Sequence, residues 1–354
     1  MQFVFEPAHS RVVFGAGCIT GLAGEADLLG AKRILLVGTS GRSELLHRVA
    51  ELLGGRVAGI FDRAVVHVPG KVADAAREAA LEHQADSILA VGGGSAIGVA
   101  KAIAVTTDLP IIAIPTTYSG SEMTPLWGLT RDGAKRTGCD PRVQPRTVLY
   151  DPELTLDLPI PISAASGMNA IAHCVEALYA SDANPVTSWM AEEGIHALGT
   201  SLATIVAAPH DIAARTQAMY GAWLAGSALG AVQMGLHHKL CHTLGGSFNL
   251  PHAETHAVLL SYTAAYNMNA AAAAMDAVSR GLGAAPAPAA LYDLGRRIGT
   301  PASLAEIGMR SSDLERAADL AAERPYPNPR PVTREGVLAL LKQAFEGSPL
   351  TVNR

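Results

Sequence analysis

Between Gly235 and His252 the chain reads GLHHKLCHTLGGSFNLPH, placing four of its twelve histidines within eighteen residues. His238 and His242 stand four apart and share one face of a helix, whereas His237 points about 100° away from His238. The LGG triplet at Leu244–Gly246 ends that helix, and the LPH that follows returns His252 across a short loop. Upstream, GMNAIAHCVEA sets Asn169 and His173 four apart on a second helix. Imidazoles gathered this way can ligate a metal, move protons near neutrality or stabilise a developing oxyanion. A lone histidine in a helix is more often a satisfied core or surface group. Several together each need a partner when buried, which favours a site.

A second group of residues could hold a phosphate. AVGGGSAIGVAKAIA (Ala90–Ala104) has strand character up to Val91, then glycines, Ser95 and a helix. Glycine lets backbone amides approach an anion, and the helix start adds its positive end. Gly93, Gly94 and Ser95 are therefore candidates for a pyrophosphate. The pattern is neither GxGxxG nor a Walker loop, so an ordinary strand-to-helix turn competes with this reading. IPTTYSGSEMT (Ile114–Thr124) adds Thr116, Thr117, Ser121 and Thr124 at the carboxyl end of another strand, where open α/β sheets bind ligands. LLVGTSGR (Leu35–Arg42) contributes Gly38 and Thr39 as candidates for an adenosine ribose. Thr39 and Ser40 stand where an acidic residue would select NAD, so NADP is not strongly rejected. A solvated turn explains that segment equally well.

The elements that must position these residues alternate in the first half of the chain. RILLVG, VAGIF, SILAVGGG and PIIAIPTT are apolar runs suited to strands buried on both faces. Helical segments lie between them at Ser43–Leu53, Lys71–His83 and Ala96–Thr106, which predicts a parallel sheet with right-handed crossovers. From about Ser163 onward alanine-rich helical patterns take over, after a proline-bearing connector, DPELTLDLPIPIS. The expectation is an α/β dinucleotide-binding domain over residues 1–160 and an all-α domain over 161–354.

At 354 residues, 49% hydrophobic and 17% charged, the chain can bury two cores. A formal charge of −5 with scattered lysines and arginines excludes a nucleic-acid footprint. The N-terminus lacks a basic, then apolar, leader, and no run is long enough to span a membrane. Four cysteines without CxxC spacing fit reduced thiols. A cytoplasmic protein is expected.

The order strand-GGGS, PTT-x-x-GSE, G-x-[DN]-A-x-x-H-x-x-E, H-x-x-x-H-x-L-G-G and P-H resembles the iron-containing alcohol dehydrogenase family over nearly the whole chain. GLHHKLCHTLGGSFNLPHAETHA and the later YPNPRPVTREGV are most similar to its maleylacetate-reducing branch. The resemblance implies the dehydroquinate synthase-like fold, NADH or NADPH as cofactor, a small dicarboxylate substrate and a homodimer. It also implies the reaction: hydride addition to the alkene of maleylacetate, giving 3-oxoadipate. Metal-dependent members use an aspartate and three histidines; the matching positions here are Asn169, His173, His238 and His252. The neutral amide lowers the affinity for a divalent ion, and Gly98 replaces the usual aspartate after GGGS. Both departures match a branch described as working without metal, so no metal is expected.

In that reading His173, His238 and His252 surround the enolate oxygen, and His242 is the leading proton donor. Lys239, Tyr326, Asn328 and Arg330 are candidates for the substrate carboxylates, although a solvated loop serves as well for the last three. Lys135 matches a family lysine near the cofactor. Competing expectations are a metal-dependent alcohol or lactaldehyde dehydrogenase, a dehydroquinate synthase-like lyase and a non-enzymatic binding protein.

Overall fold

The computed structural model describes residues 2–6, 9–131 and 134–350, and the side chains of Ala134 and Lys135 lie outside that description. Residues 7–158 form one compact unit; 159–354 form a second, with which residues 1–6 are grouped.

The first unit runs β1 (Arg11–Phe14), α1 (Leu22–Leu29), β2 (Ile34–Val37), α2 (Ser43–Leu53), β3 (Val57–Phe61), α3 (Gly70–Glu82), β4 (Ser87–Gly92), α4 (Gly94–Thr107) and β5 (Ile111–Pro115). A hairpin of β6 (Leu126–Arg131) and β7 (Ala134–Cys139) follows, then β8 (Thr147–Tyr150). The sheet order is β1-β8-β5-β4-β2-β3 and every pairing in it is parallel. β2, β4 and β5 are buried along their whole length because helices cover both faces. Side chains alternate accordingly. Leu35, Val37, Ile88 and Ala90 join one core with α3 and α4, while Ile34, Leu36, Leu89 and Val91 join the other with α1 and α2.

From β2 the chain goes outward to β3, then returns to place β4 on the other side of β2 before continuing to β5. The order reverses between β2 and β4. That switch point sets the carboxyl ends of β2 and β4 as the two lips of the crevice where such sheets take ligands.

The second unit is helical: α5 (Ile160–Tyr179), α6 (Pro185–Ala207), α7 (Ile212–Ala231), α8 (Leu236–Phe248), α9 (His252–Asn267), α10 (Ala272–Leu282), α11 (Ala287–Arg297), α12 (Leu314–Ala322) and α13 (Arg334–Glu346). Its axis is α5, buried without a break from Ser163 to Ala177 and packed against α6, α7 and α9. Small residues permit this. A Cβ on Gly167 would stand 2.5 Å from a methyl of Leu202 on α6, so any larger residue would have to displace that side chain. No helix among the described residues is long and apolar enough to cross a membrane.

Candidate active site

In the sheet unit, β4 ends at Gly92 and α4 begins at Gly94, with Gly93 as an N-cap that offers no side-chain hydrogen bond. The first-turn amides of α4 therefore lack acceptors within the helix and are free to meet an anion. A Cβ on Gly93 would stand 2.8 Å from Thr117 Oγ1, so only glycine allows the turn and the loop after β5 to approach this closely. Thr116 N donates to Gly92 O at 3.1 Å, tying the same two segments together. Gly94 is exposed and Ser95 half-buried. At the neighbouring lip, Gly38 follows β2 with its N donating to Phe61 O, and Thr39 is half-buried.

The structure brings most of the expected cofactor residues to these lips, with two exceptions. Thr124 is only 1% exposed, and its hydroxyl is engaged by Lys101 Nζ at 3.0 Å. Ser121 presents its carbonyl to the same ammonium at 2.6 Å. Thr124 therefore serves the loop's interior, while Ser121 gives Lys101 only its backbone carbonyl and stays half-buried. The side chain of Lys135 lies outside the described residues. Gly98 has its own explanation: a Cβ there would stand 2.7 Å from a methyl of Val68, which fills the space an aspartate would need.

In the helical unit, α5, α8 and α9 converge their histidines. His173 comes from α5, His237, His238 and His242 from α8, and His252 and His256 from α9. His238 lies 5.1 Å from His173, 4.9 Å from His256 and 6.2 Å from His242 between ring centroids; His252 lies 4.5 Å from His256 and stacks on His242 at 6.3 Å. The cluster is graded in depth. His237 and His256 are fully buried, His173 and His238 nearly so, His252 half-buried and His242 exposed.

Beneath His238 sits Glu176 of α5, with no exposed surface. Its carboxylate accepts from His238 Nδ1 at 2.5 Å, from the backbone amides of His237 and His238 at 2.9 and 3.1 Å, and from the Tyr179 hydroxyl at 3.2 Å. Burial alone would raise its pKa, but the His238 hydrogen bond, the charges of His238 and His237 and the backbone donor together lower it to about 2. A ring giving Nδ1–H to this carboxylate can donate from Nε2 only when doubly protonated; otherwise Nε2 is a lone pair.

The deeper rings form a chain. His237 Nδ1 is 2.9 Å from Thr263 Oγ1, and His237 Nε2 is 2.9 Å from His256 Nδ1. Burial first, then neighbouring imidazoles, hold His173 and His256 well below the ordinary histidine range, and burial holds His237 at about 3. These three are neutral at physiological pH. Asn169 Oδ1, His173 Nδ1, His238 Nε2 and His256 Nε2 are buried without a hydrogen-bond partner. Buried orphans of this kind mark a place where a ligand completes the network.

Of the residues expected to meet the substrate, Lys239 is half-buried on α8 beside His238. Tyr326 has a buried, unpartnered hydroxyl whose pKa is raised by burial and by Glu176. Arg330 is committed elsewhere: its guanidinium lies 4.1 Å over the Tyr266 ring and donates to Tyr266 O. Asn328 bridges Asn267 and the amide of Leu236, fastening its segment to α8 and α9. Glu176, His237 and His256 were not singled out from the sequence. His256 stands four after His252 and Glu176 three after His173, the same spacing rule that found the other histidines. His237 does point away from His238, but α9 packs there and buries it.

Comparison with known proteins decides the lineage of this site. The iron-containing alcohol dehydrogenase model matches residues 9–152, and the C-terminal model of the Fe-containing alcohol dehydrogenase family matches 163–345. The chain belongs to the iron-containing alcohol dehydrogenase family. It is an oxidoreductase with a nicotinamide cofactor. It is 54% identical to maleylacetate reductase of Burkholderia cepacia over 98% of both chains, and 52% identical to that of Pseudomonas sp. strain P51 over 99% of both. The crystal structure of maleylacetate reductase from Rhizobium sp. strain MTP-10005 is similar to it at 48% identity and a TM-score of 0.94, covering 99% of this chain and all of that one.

Proposed function

We propose that this enzyme reduces the carbon–carbon double bond of maleylacetate to give 3-oxoadipate, with NADH or NADPH as donor. The observation that carries the reading is full-length identity of 54% to a maleylacetate reductase, with Asn169 at the position where metal-dependent members carry a carboxylate. Bound reduced nicotinamide supplies the hydride, which adds to the alkene carbon β to the ketone. The alkene electrons shift toward the ketone, its oxygen becomes an enolate, and a proton returns to the α carbon.

The chain's own residues then have distinct tasks. His238, its ring held at Nδ1 by the Glu176 carboxylate, presents Nε2 to the enolate oxygen. His173 and His252 complete the polar surround with Asn169. Conjugate addition spreads charge over several atoms, which makes a hydrogen-bond donor sufficient. His242, the most exposed ring of the cluster, delivers the proton. Lys239 and Tyr326 meet the substrate carboxylates.

A divalent ion fits this donor set poorly. Among the described residues, the grouped ligand atoms within 4.8 Å of one another belong to His237, Cys241 and His256, and not to the Asn169, His173, His238 and His252 set. Two of those three are already hydrogen-bonded to each other. Asn169 is neutral, and the nearby carboxylate of Glu176 is filled by its donors. We therefore read the reaction as independent of metal. The working form is read as a cytoplasmic homodimer, supported by four free cysteines and by exposed apolar residues such as Val4 and Trp189.

The test is loss of reduced-nicotinamide absorbance on adding maleylacetate to purified protein. Turnover with both donors supports the reading, and no turnover with either refutes it. A His242→Ala variant should lose about 10²-fold in kcat, with a flattened pH profile; parental rates at every pH would remove His242 from its role.

A further inference from the structure

We propose that Lys101 is a positioning residue for the cofactor, acting with Glu122 to hold the loop after β5 against the first turns of α4. The inference rests on the reading that this unit binds a nicotinamide dinucleotide and concerns a group that touches no ligand itself.

Lys101 sits on α4, downstream of the glycine turn, and is 1% exposed. Its ammonium donates to Ser121 O at 2.6 Å, Thr124 O at 2.7 Å, Leu126 O at 2.8 Å and Thr124 Oγ1 at 3.0 Å. Three of these acceptors are main-chain carbonyls, two in the irregular segment after β5 and one at the first residue of β6, so a single ammonium gathers the whole stretch from Ser121 to Leu126. Glu122, fully buried in the same loop, accepts from Tyr150 OH of β8 at 2.9 Å and from Ser119 Oγ at 3.3 Å. One network thus spans α4, the loop and the sheet.

The groups are held against their preferences. Burial lowers Lys101 to about 7 and raises Glu122, while each charge partly offsets the other's shift. Two buried ionisable groups are weak evidence for stability, since apolar residues of similar volume often do as well. Apolar residues could not satisfy the three carbonyls, however. What the lysine contributes is the course of the loop. That loop begins with Thr116 and Thr117, the residues packed on Gly92 and Gly93 at the anion-binding turn. Releasing it would let the loop after β5 drift away from the glycine turn at the β4 lip of the nucleotide crevice.

The experiment is a direct titration of full-length protein with NADH and NADPH, read by fluorescence without substrate, alongside the thermal midpoint. Lys101→Met should weaken cofactor binding by about tenfold or more, and raise the cofactor KM while kcat at saturating cofactor changes far less. The double variant Lys101→Met/Glu122→Gln removes both buried charges and should recover much of the midpoint. Its cofactor affinity should stay weak, because the carbonyls still lack their donor. Parental affinity in Lys101→Met overturns the proposal, as does a double variant whose affinity returns together with its midpoint. Should Lys101→Met fail to fold, the double variant carries the same decision. If the parent binds neither dinucleotide, the underlying cofactor reading fails instead, which separates the two outcomes.

Discussion

Glu122 in the sheet unit and Glu176 in the helical unit are both wholly shielded from solvent, yet their carboxyls are driven in opposite directions. Glu122 is raised by burial because its donors are few: one phenol, one distant serine and its own backbone, with Lys101 nearby. Glu176 suffers the same burial but is lowered to about 2, since two backbone amides at the start of α8, an imidazole and a phenol converge on it. Hydrogen-bond supply, not depth, decides in which direction a buried acid is driven. The consequence is functional. Glu176 orients His238 through its Nδ1, whereas Glu122 belongs to the loop after β5.

Removing the charge of Glu176 should break this contrast most severely. Glu176→Gln keeps the volume but loses the counter-charge, and kcat/KM for maleylacetate should fall by about 10²–10³-fold, with cofactor affinity unchanged in a substrate-free titration. A fall confined to cofactor affinity would place the residue's role elsewhere.

Acid stability follows from the same carboxylate. Its folded pKa of about 2 lies below the ordinary 4.5, so its contribution is fully present above the ordinary value and is lost as pH falls through about 2. The contribution is on the order of 3 kcal/mol, and Glu176→Gln should flatten that part of the stability–pH curve. Denaturant midpoints measured between these pH values check it; curves that stay parallel would contradict it.

The smallest effect belongs to the other region. At the β2 lip, the proposed ribose contact, Thr39→Asp should reduce NADPH use relative to NADH by about tenfold. The KM for maleylacetate should not move. Equal loss with both donors would show that Thr39 does not face the ribose.

The comparison also explains what could be read from the chain in advance. β2 to β5 and the helices between them were legible because strands buried on both faces read as unbroken apolar runs. β1, β8 and the β6–β7 hairpin were not: RVVF and TVLY open on a polar residue and leave apolar runs of three, and LWGLTR is half-exposed with a glycine inside. The histidine faces followed from helical spacing, so His173, His238, His242 and His252 were found. Glu176, by contrast, matters through packing of α5 against the start of α8, a contact 61 residues distant in sequence. Thr124 had the right chemistry, but only the structure reveals that Lys101 claims its hydroxyl. Arg330 is the same lesson, a cation whose partner is the ring of Tyr266.

In the proposed reaction an imidazole paired with a buried carboxylate, and no bound ion, takes up the charge created on the substrate. The most direct measurement is maleylacetate turnover by protein dialysed against a strong chelator until metal analysis finds none, compared with the same protein after ferrous or zinc ions are added. The account predicts equal kcat before chelation, after it and after metal addition. Activity that vanishes with the metal and returns when an ion is restored would contradict it.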